Sequence, residues 1–192
     1  MTTLRLPDEI IISNVQIKHN MPSFNTESIS LKTRSRDRGL HRIEGSFDVS
    51  IQGLKAQKAW TAFMLKLRGR YNTFYLDLPM HFKGDIYRNP TLASPANIGA
   101  NTINLGGLFT EISAGSCFTM LNDPKTYFVV DDVTRDGVVE IYPALMKAQL
   151  DTSPVEFVAP KITCRLDDQI PTIDYSENGL LVETTINFIE AI

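Results

Sequence analysis

Cysteine, histidine and tryptophan are all scarce in this chain. Its 192 residues include two cysteines, three histidines and one tryptophan. Cys117 and Cys164 lie far apart, in the apolar stretches SCFTML and KITCRL. A structural metal site needs more ligands at closer spacing, so both are expected to be buried free thiols. No apolar run approaches the ~20 residues of a membrane-spanning helix, and membrane insertion is not expected. The opening MTTLRLPDEI lacks the apolar core of a secretion signal, which points to synthesis and folding in a reducing cytoplasm. Positive charge is also in short supply. Lys and Arg number 19 against 22 Asp and Glu, a formal net charge of -3. Nucleic-acid-binding domains usually carry a strong basic excess, so any such contact here must come from a local patch.

The motifs of catalysis and cofactor binding are missing too. His19, His41 and His81 lie in no nucleophile motif, and neither GxSxG nor HExxH occurs. No GxxxxGKS is present to cradle a phosphate. Asp131, Asp132 and Asp136 cluster in VVDDVTRDG, but without the register of a calcium loop. They read as a solvated turn. No catalytic, metal or cofactor residue can be assigned, no cofactor is expected, and the chain does not read as an enzyme. It shows neither internal repeats nor low-complexity tracts.

Hydrophobic residues make up 43% of the chain and charged residues 21%, enough to bury a core. Short runs of Val, Ile, Thr and aromatics are broken by Gly, Pro, Asn and Asp, which is mostly a β signal. SNVQIKH, ESISLKTR and GSFDVSIQ are candidate strands. In the last, Phe47, Val49 and Ile51 alternate with Ser46, Asp48 and Ser50, one face buried and one wet. One convincing helix follows in GLKAQKAWTAFMLKLRGR, where Ala56, Trp60, Phe63, Met64 and Leu67 form an apolar stripe. Gly69 stands where a left-handed C-terminal cap is expected. Arg68 and Arg70 would face the negative end of the helix dipole rather than bind an anion. YNTFYLDLP reads as the next strand.

From about Lys83 the texture changes. GDIYRNPTLASPANIGANTINLGG reads as a loop ending in a short strand. SCFTML, KTYFVVDDV and GVVEIYPAL follow as strands, with Asp136-Gly137 as the hairpin turn between the last two. PVEFVAP, KITCRLDD and LLVETTINFIEA complete the series. The last alternates Val182, Thr184, Ile186 and Phe188 against Glu183, Thr185 and Asn187, which suggests an edge or half-exposed strand. The fold class expected is mainly β (α+β), a compact barrel of about five strands inserted in a small domain with one packed helix.

The strongest local charge is KTRSRDRGLHR. Lys32, Arg34, Arg36 and Arg38 recur at every second residue, and Arg42 stands just beyond. On a strand tip the first four would share one face. They could position a polyanion through its phosphates. They could equally form a protruding hairpin that pairs with carboxylates of a neighbouring subunit. No aromatic interleaves with the arginines as a base-stacking platform requires, and the chain is acidic overall, so the subunit contact is the favoured reading. A plain solvated hairpin stays open.

A strand pair ending in RGLHRIEGSFDVSI, a helix with AWTAFMLKLRGR, the strand TFYLDLP, then IGANTINLGG, CFTMLNDPKTYFVVDDV and GVVEIYPAL succeed one another. This order and spacing resembles the distal tail proteins of long-tailed bacteriophages with non-contractile tails. The closest type carries an inserted barrel like those that bind oligosaccharides and oligonucleotides (an OB-like barrel). The resemblance implies a ring-forming domain of residues 1–82 and 161–192, with Trp60, Phe63 and Leu67 as core anchors. Residues 83–160 would be the inserted barrel. It also implies a hexameric ring in the virion tail tip, joining the tail tube protein to the baseplate hub protein around a channel through which DNA passes without specific binding. The barrel would face outward, toward collar or side-fibre proteins or a host saccharide. The basic hairpin would then set the register between subunits, with Glu183, Glu190, Asp167 and Asp168 as possible acceptors.

A second reading makes the barrel a carbohydrate-binding, host-adhesion module. Exposed aromatics would serve it, because sugar rings stack on them. Tyr127, Tyr142 and Phe118 are the candidates, with Phe128 and Phe157 beside them. Most of these alternate into apolar runs, which favours burial.

Overall fold

The computed structural model describes residues 2–77, 82, 85–167, 174–175 and 181–192. His81, Asp168 and the Lys83 boundary lie outside the described residues. Among the described residues the fold is mainly β with one α-helix. In chain order the first elements are β1 (Thr3–Arg5), β2 (Ile10–Asn20), β3 (Ser23–Glu27), β4 (Thr33–Asp37), β5 (Arg42–Gln52), α1 (Leu54–Leu67) and β6 (Thr73–Asp77). Then come β7 (Thr91–Leu92), β8 (Thr102–Gly106), β9 (Cys117–Met120), β10 (Asp123–Val129), β11 (Gly137–Tyr142) and β12 (Val155–Glu156). The chain finishes with β13 (Lys161–Leu166), β14 (Asp174–Tyr175) and β15 (Leu181–Glu190).

Seven strands form the first sheet, in the order β1-β6-β13-β15-β5-β2 with β14 beside β15. Alternation decides its faces. Phe47, Val49 and Ile51 of β5 point inward with Phe74 and Leu76 of β6, Ile162 and Cys164 of β13, and Val182, Ile186 and Phe188 of β15. Helix α1 lays Ala56, Trp60, Phe63, Met64 and Leu67 onto this face. Trp60 stacks on Phe63 at 5.4 Å, and Phe63 meets Phe74 edge-on at 6.1 Å. Burying side chains of this size contributes about 1.5–3 kcal/mol each. Gly45 of β5 is fixed by crowding. A Cβ there would collide with the Gln16 carbonyl oxygen and sit 2.9 Å from the Phe188 ring.

The helix end departs from the sequence expectation by one residue. Arg68 already takes the left-handed conformation (φ 51°, ψ 51°), and Gly69 continues it at φ 64°. Asn72 closes the helix. Its backbone N–H donates to the Leu67 carbonyl at 3.0 Å and its side-chain amide to the Lys66 carbonyl at 2.8 Å. Arg70 turns to Asp167, 3.9 Å away at the surface.

The second sheet has six strands in the order β12-β9-β10-β11-β8-β7. It curls until its ends nearly meet. Thr91 bridges Pro154, and Val155 N–H donates to the Pro90 carbonyl at 3.0 Å. Leu105, Phe118, Tyr127, Ile141, Val155 and Phe157 fill its interior. Six strands replace the expected five because β7 holds only two residues, too short to show alternation.

Three local expectations are corrected. ESISLKTR is no strand. Its centre is a hairpin tip, where Ser28 N–H donates to the Lys32 carbonyl at 3.0 Å and Leu31 takes φ 60°. Asp136-Gly137 is no tight hairpin turn, because β10 and β11 first pair at Val129 and Ile141. The Asp136 carboxylate instead accepts from the N–H groups of Gly107 at 3.1 Å and Leu108 at 2.7 Å, capping the end of β8. Of the two alternatives for the final strand, β15 is not an edge, since β13 and β5 flank it, but it is half-exposed, with Val182, Ile186 and Phe188 buried and Glu183, Thr185 and Asn187 facing out.

Candidate functional site

Among the described residues the hairpin β3–β4 joins neither large sheet and pairs only with itself. It extends the β2–β5 hairpin beyond the point where Asn20 pairs Arg42. Every residue from 23 to 40 is exposed. Arg34 and Arg36 share one face of β4, opposite Thr26 and Phe24. Lys32 lies in the turn and Arg38 beyond the strand, so the four cations do not line one strand face as the every-second-residue spacing suggested. An aromatic does accompany them, from across the hairpin. The Arg38 guanidinium sits 4.8 Å from the centre of the Phe24 ring, a cation–π contact. Ile29, Leu31 and Leu40 are also bare, at 106%, 79% and 52% exposure. Arg42 sits at the hairpin root, and its Nε donates to Glu44 at 3.1 Å.

The saccharide candidates on the barrel are mostly interior. Phe118 and Tyr127 are 0% exposed, and their rings stack at 5.6 Å. The Tyr127 hydroxyl donates to Asp123 at 2.7 Å and accepts from Met146 N–H at 2.9 Å. Phe157 is equally enclosed, 4.8 Å from Phe118. These rings pack the barrel and cannot stack on a ligand. Tyr142 is half-buried with its ring 5.7 Å from His41, and Phe128 packs against His19 and His41.

Where the two sheets meet, a polar chain passes into the core. His19 Nδ1 lies 2.9 Å from His41 Nε2, and His41 Nδ1 lies 3.1 Å from Lys125 Nζ. Lys125 Nζ forms a close ion pair with Glu190, and neither side chain reaches solvent. Glu190 also accepts the N–H of Ile43 at 3.0 Å and of Thr126 at 2.8 Å. One carboxylate thus ties β5 and β15 to β10. Lysine has only donors, so His41 must accept at Nδ1 and carry its proton on Nε2, donating it to His19.

The electrostatics agree. Burial and then the Lys125 charge push His41 down to about 4, with His19 adding a smaller push. Burial and Lys125 also lower His19, against a pull from Glu190. Burial lowers Lys125, and Glu190 opposes it. Both imidazoles are therefore neutral near pH 7. Glu190 is spent here and cannot act as an acceptor for a neighbour's arginines. Glu183 and Asp167 remain at the surface.

Neither cysteine is poised for chemistry. Both are free and buried, as their apolar settings suggested. Burial pushes the Cys117 thiol up to about 12, and burial followed by Glu190 raises Cys164. Among the described residues no group of three or more His, Cys, Asp or Glu could hold a metal ion, and no helix is long and apolar enough to cross a membrane. Comparison with protein-family models and with curated proteins finds no match for this chain.

Proposed function

We propose that the chain is a structural component of a bacteriophage tail tip, a distal tail protein. On this reading six copies form a ring that joins the tail tube to the baseplate hub around the DNA channel. The observation that carries the proposal is the free-standing hairpin. A lone two-stranded hairpin is marginally stable in water. This one leaves Phe24, Ile29 and Leu31 uncovered beside four cations. A neighbouring subunit that covered it would bury the apolar tip and meet the charges with carboxylates. The hairpin differs from whatever receives it, so the contact is heterologous, the kind that builds rings. A net charge of -3 also suits a channel through which DNA must slide, because phosphate contacts would hold the DNA back.

Negative-stain electron microscopy of the purified protein over a concentration series tests the reading. Six-fold rings with a hole wide enough for duplex DNA are the expected result. Monomers at every concentration, with tube and hub proteins also present, would overturn it.

A further inference from the structure

We propose that the cleft between the two sheets is a binding site for a saccharide bearing one anionic group. The cleft measures about 770 Å³, inside the ~300–1,000 Å³ range of small-ligand sites, which favour domain boundaries. Its first wall is the face of the seven-stranded sheet turned away from α1. There Arg5 pairs with Tyr75 across β1 and β6, and Tyr75 with Thr163 across β6 and β13. The second wall is the β9–β10 turn with Thr119 and Asn122, joined by Glu156 of β12.

Three features define the ligand. Tyr75 is 39% exposed, and among the described residues its ring meets no other aromatic and no cation. A flat ring left open inside a cleft suits the apolar C–H face of a sugar. Thr119 and the Asn122 amide, unpaired among the described residues, offer hydrogen bonds to ring hydroxyls. The charges select the anionic substituent. Lys161 answers Asp77 at 3.5 Å. Glu156 is held by the Asn89 amide at 2.8 Å and the Ala159 N–H at 2.8 Å. Asp123 is taken by Lys125 N–H and the Tyr127 hydroxyl. Of the charged side chains lining the cleft, Arg5 is the one with neither an ion pair nor a side-chain hydrogen bond among the described residues, and its planar fork fits a carboxylate or phosphate in bidentate fashion.

This site does not depend on the ring reading. It replaces the barrel aromatics as the place where a saccharide would bind. The test is a glycan array of neutral and acidic saccharides probed with the full-length chain. Titration of the best-retained saccharide by calorimetry follows, for the wild type, Arg5→Gln and Tyr75→Ala. Acidic saccharides should be retained. R5Q should weaken the best of them at least tenfold, Y75A should abolish binding, and both variants should melt as the wild type does. Inorganic phosphate at equal concentration should not displace the sugar. Retention no better than that of the R5Q/Y75A double variant overturns the site. Neutral saccharides bound as tightly as acidic ones overturn the role given to Arg5. Displacement by inorganic phosphate alone overturns the saccharide. Electron microscopy of the same variants separates this outcome from any failure of ring assembly.

Discussion

Lys125 and Glu190 form an ion pair with both side chains at 0% exposure, between strands of two different sheets. Removing one partner leaves the other charged and buried, which typically costs about 3–5 kcal/mol. Lys125→Met is therefore expected to lower stability by roughly that amount in urea denaturation. Adding Glu190→Gln should recover part of the loss. A neutral amide oxygen can still accept one of the N–H groups of Ile43 and Thr126, and no buried charge is left unpaired. A double variant less stable than K125M alone would show that the carboxylate is needed for more than this pair.

The histidine chain gives a pH dependence of fixed sign. His41 falls from an ordinary 6.5 to about 4 in the folded chain, through burial and then Lys125. Between those values the unfolded chain binds more protons than the folded one, so stability drops as the pH falls. The loss should begin near pH 6.5 and continue to about pH 4. Among the described residues, Lys125, His19 and Tyr142 are the titratable groups set against His41, with Glu190 behind Lys125. His41→Gln should lessen the slope of the urea midpoint across this window, and the slope that remains there belongs to His19, which is lowered in the same direction. An unchanged slope would mean that His41 is protonated without cost.

At the end of α1, sequence and geometry divide the work differently. The surface pair between Arg70 and Asp167 at 3.9 Å implies that Arg70→Ala costs no more than about 1 kcal/mol. Asn72 satisfies two helix carbonyls. Asn72→Ala removes the side-chain bond to Lys66 and the one that its Oδ1 accepts from Thr2 N–H at 3.1 Å, both exposed, and should cost about 1 kcal/mol or slightly more. Urea midpoints of the two variants check the order. If R70A were as stable as the wild type but failed to assemble, Arg70 would be an interface residue.

The long, regular elements were legible in the sequence. The alternation of Phe47, Val49 and Ile51 predicted β5, and the stripe from Ala56 to Leu67 predicted α1, because each repeats over several periods. Two-residue strands such as Thr91–Leu92 carry no period to read. The hairpin tip was missed because Ile29 and Leu31 mimic strand alternation while pointing into solvent. The buried pair did leave a signal. Lys125 lies in phase with Tyr127 and Val129, and Glu190 with Phe188 and Ile186, all of them buried. A charged residue in an inward register marks a buried partner. Its identity depends on which strands the fold brings together, and a single strand does not contain that information.

The hairpin offers the most direct test of assembly, because stability and association separate there. Residues 23–40 are exposed throughout and belong to neither hydrophobic core. Ile29→Ser with Leu31→Ser should therefore change the free energy of unfolding by no more than about 0.5 kcal/mol. If the tip inserts into a neighbour, the same change should raise the concentration needed for ring formation at least tenfold, equivalent to about 1.4 kcal/mol. Arg34→Glu with Arg36→Glu should act in the same direction, and added salt should weaken wild-type assembly if the contact is an exposed ion pair. Sedimentation velocity over a concentration series reads both effects. Association untouched by either double variant would show the hairpin to be a solvated projection, and the subunit contact would have to be sought on the large sheets.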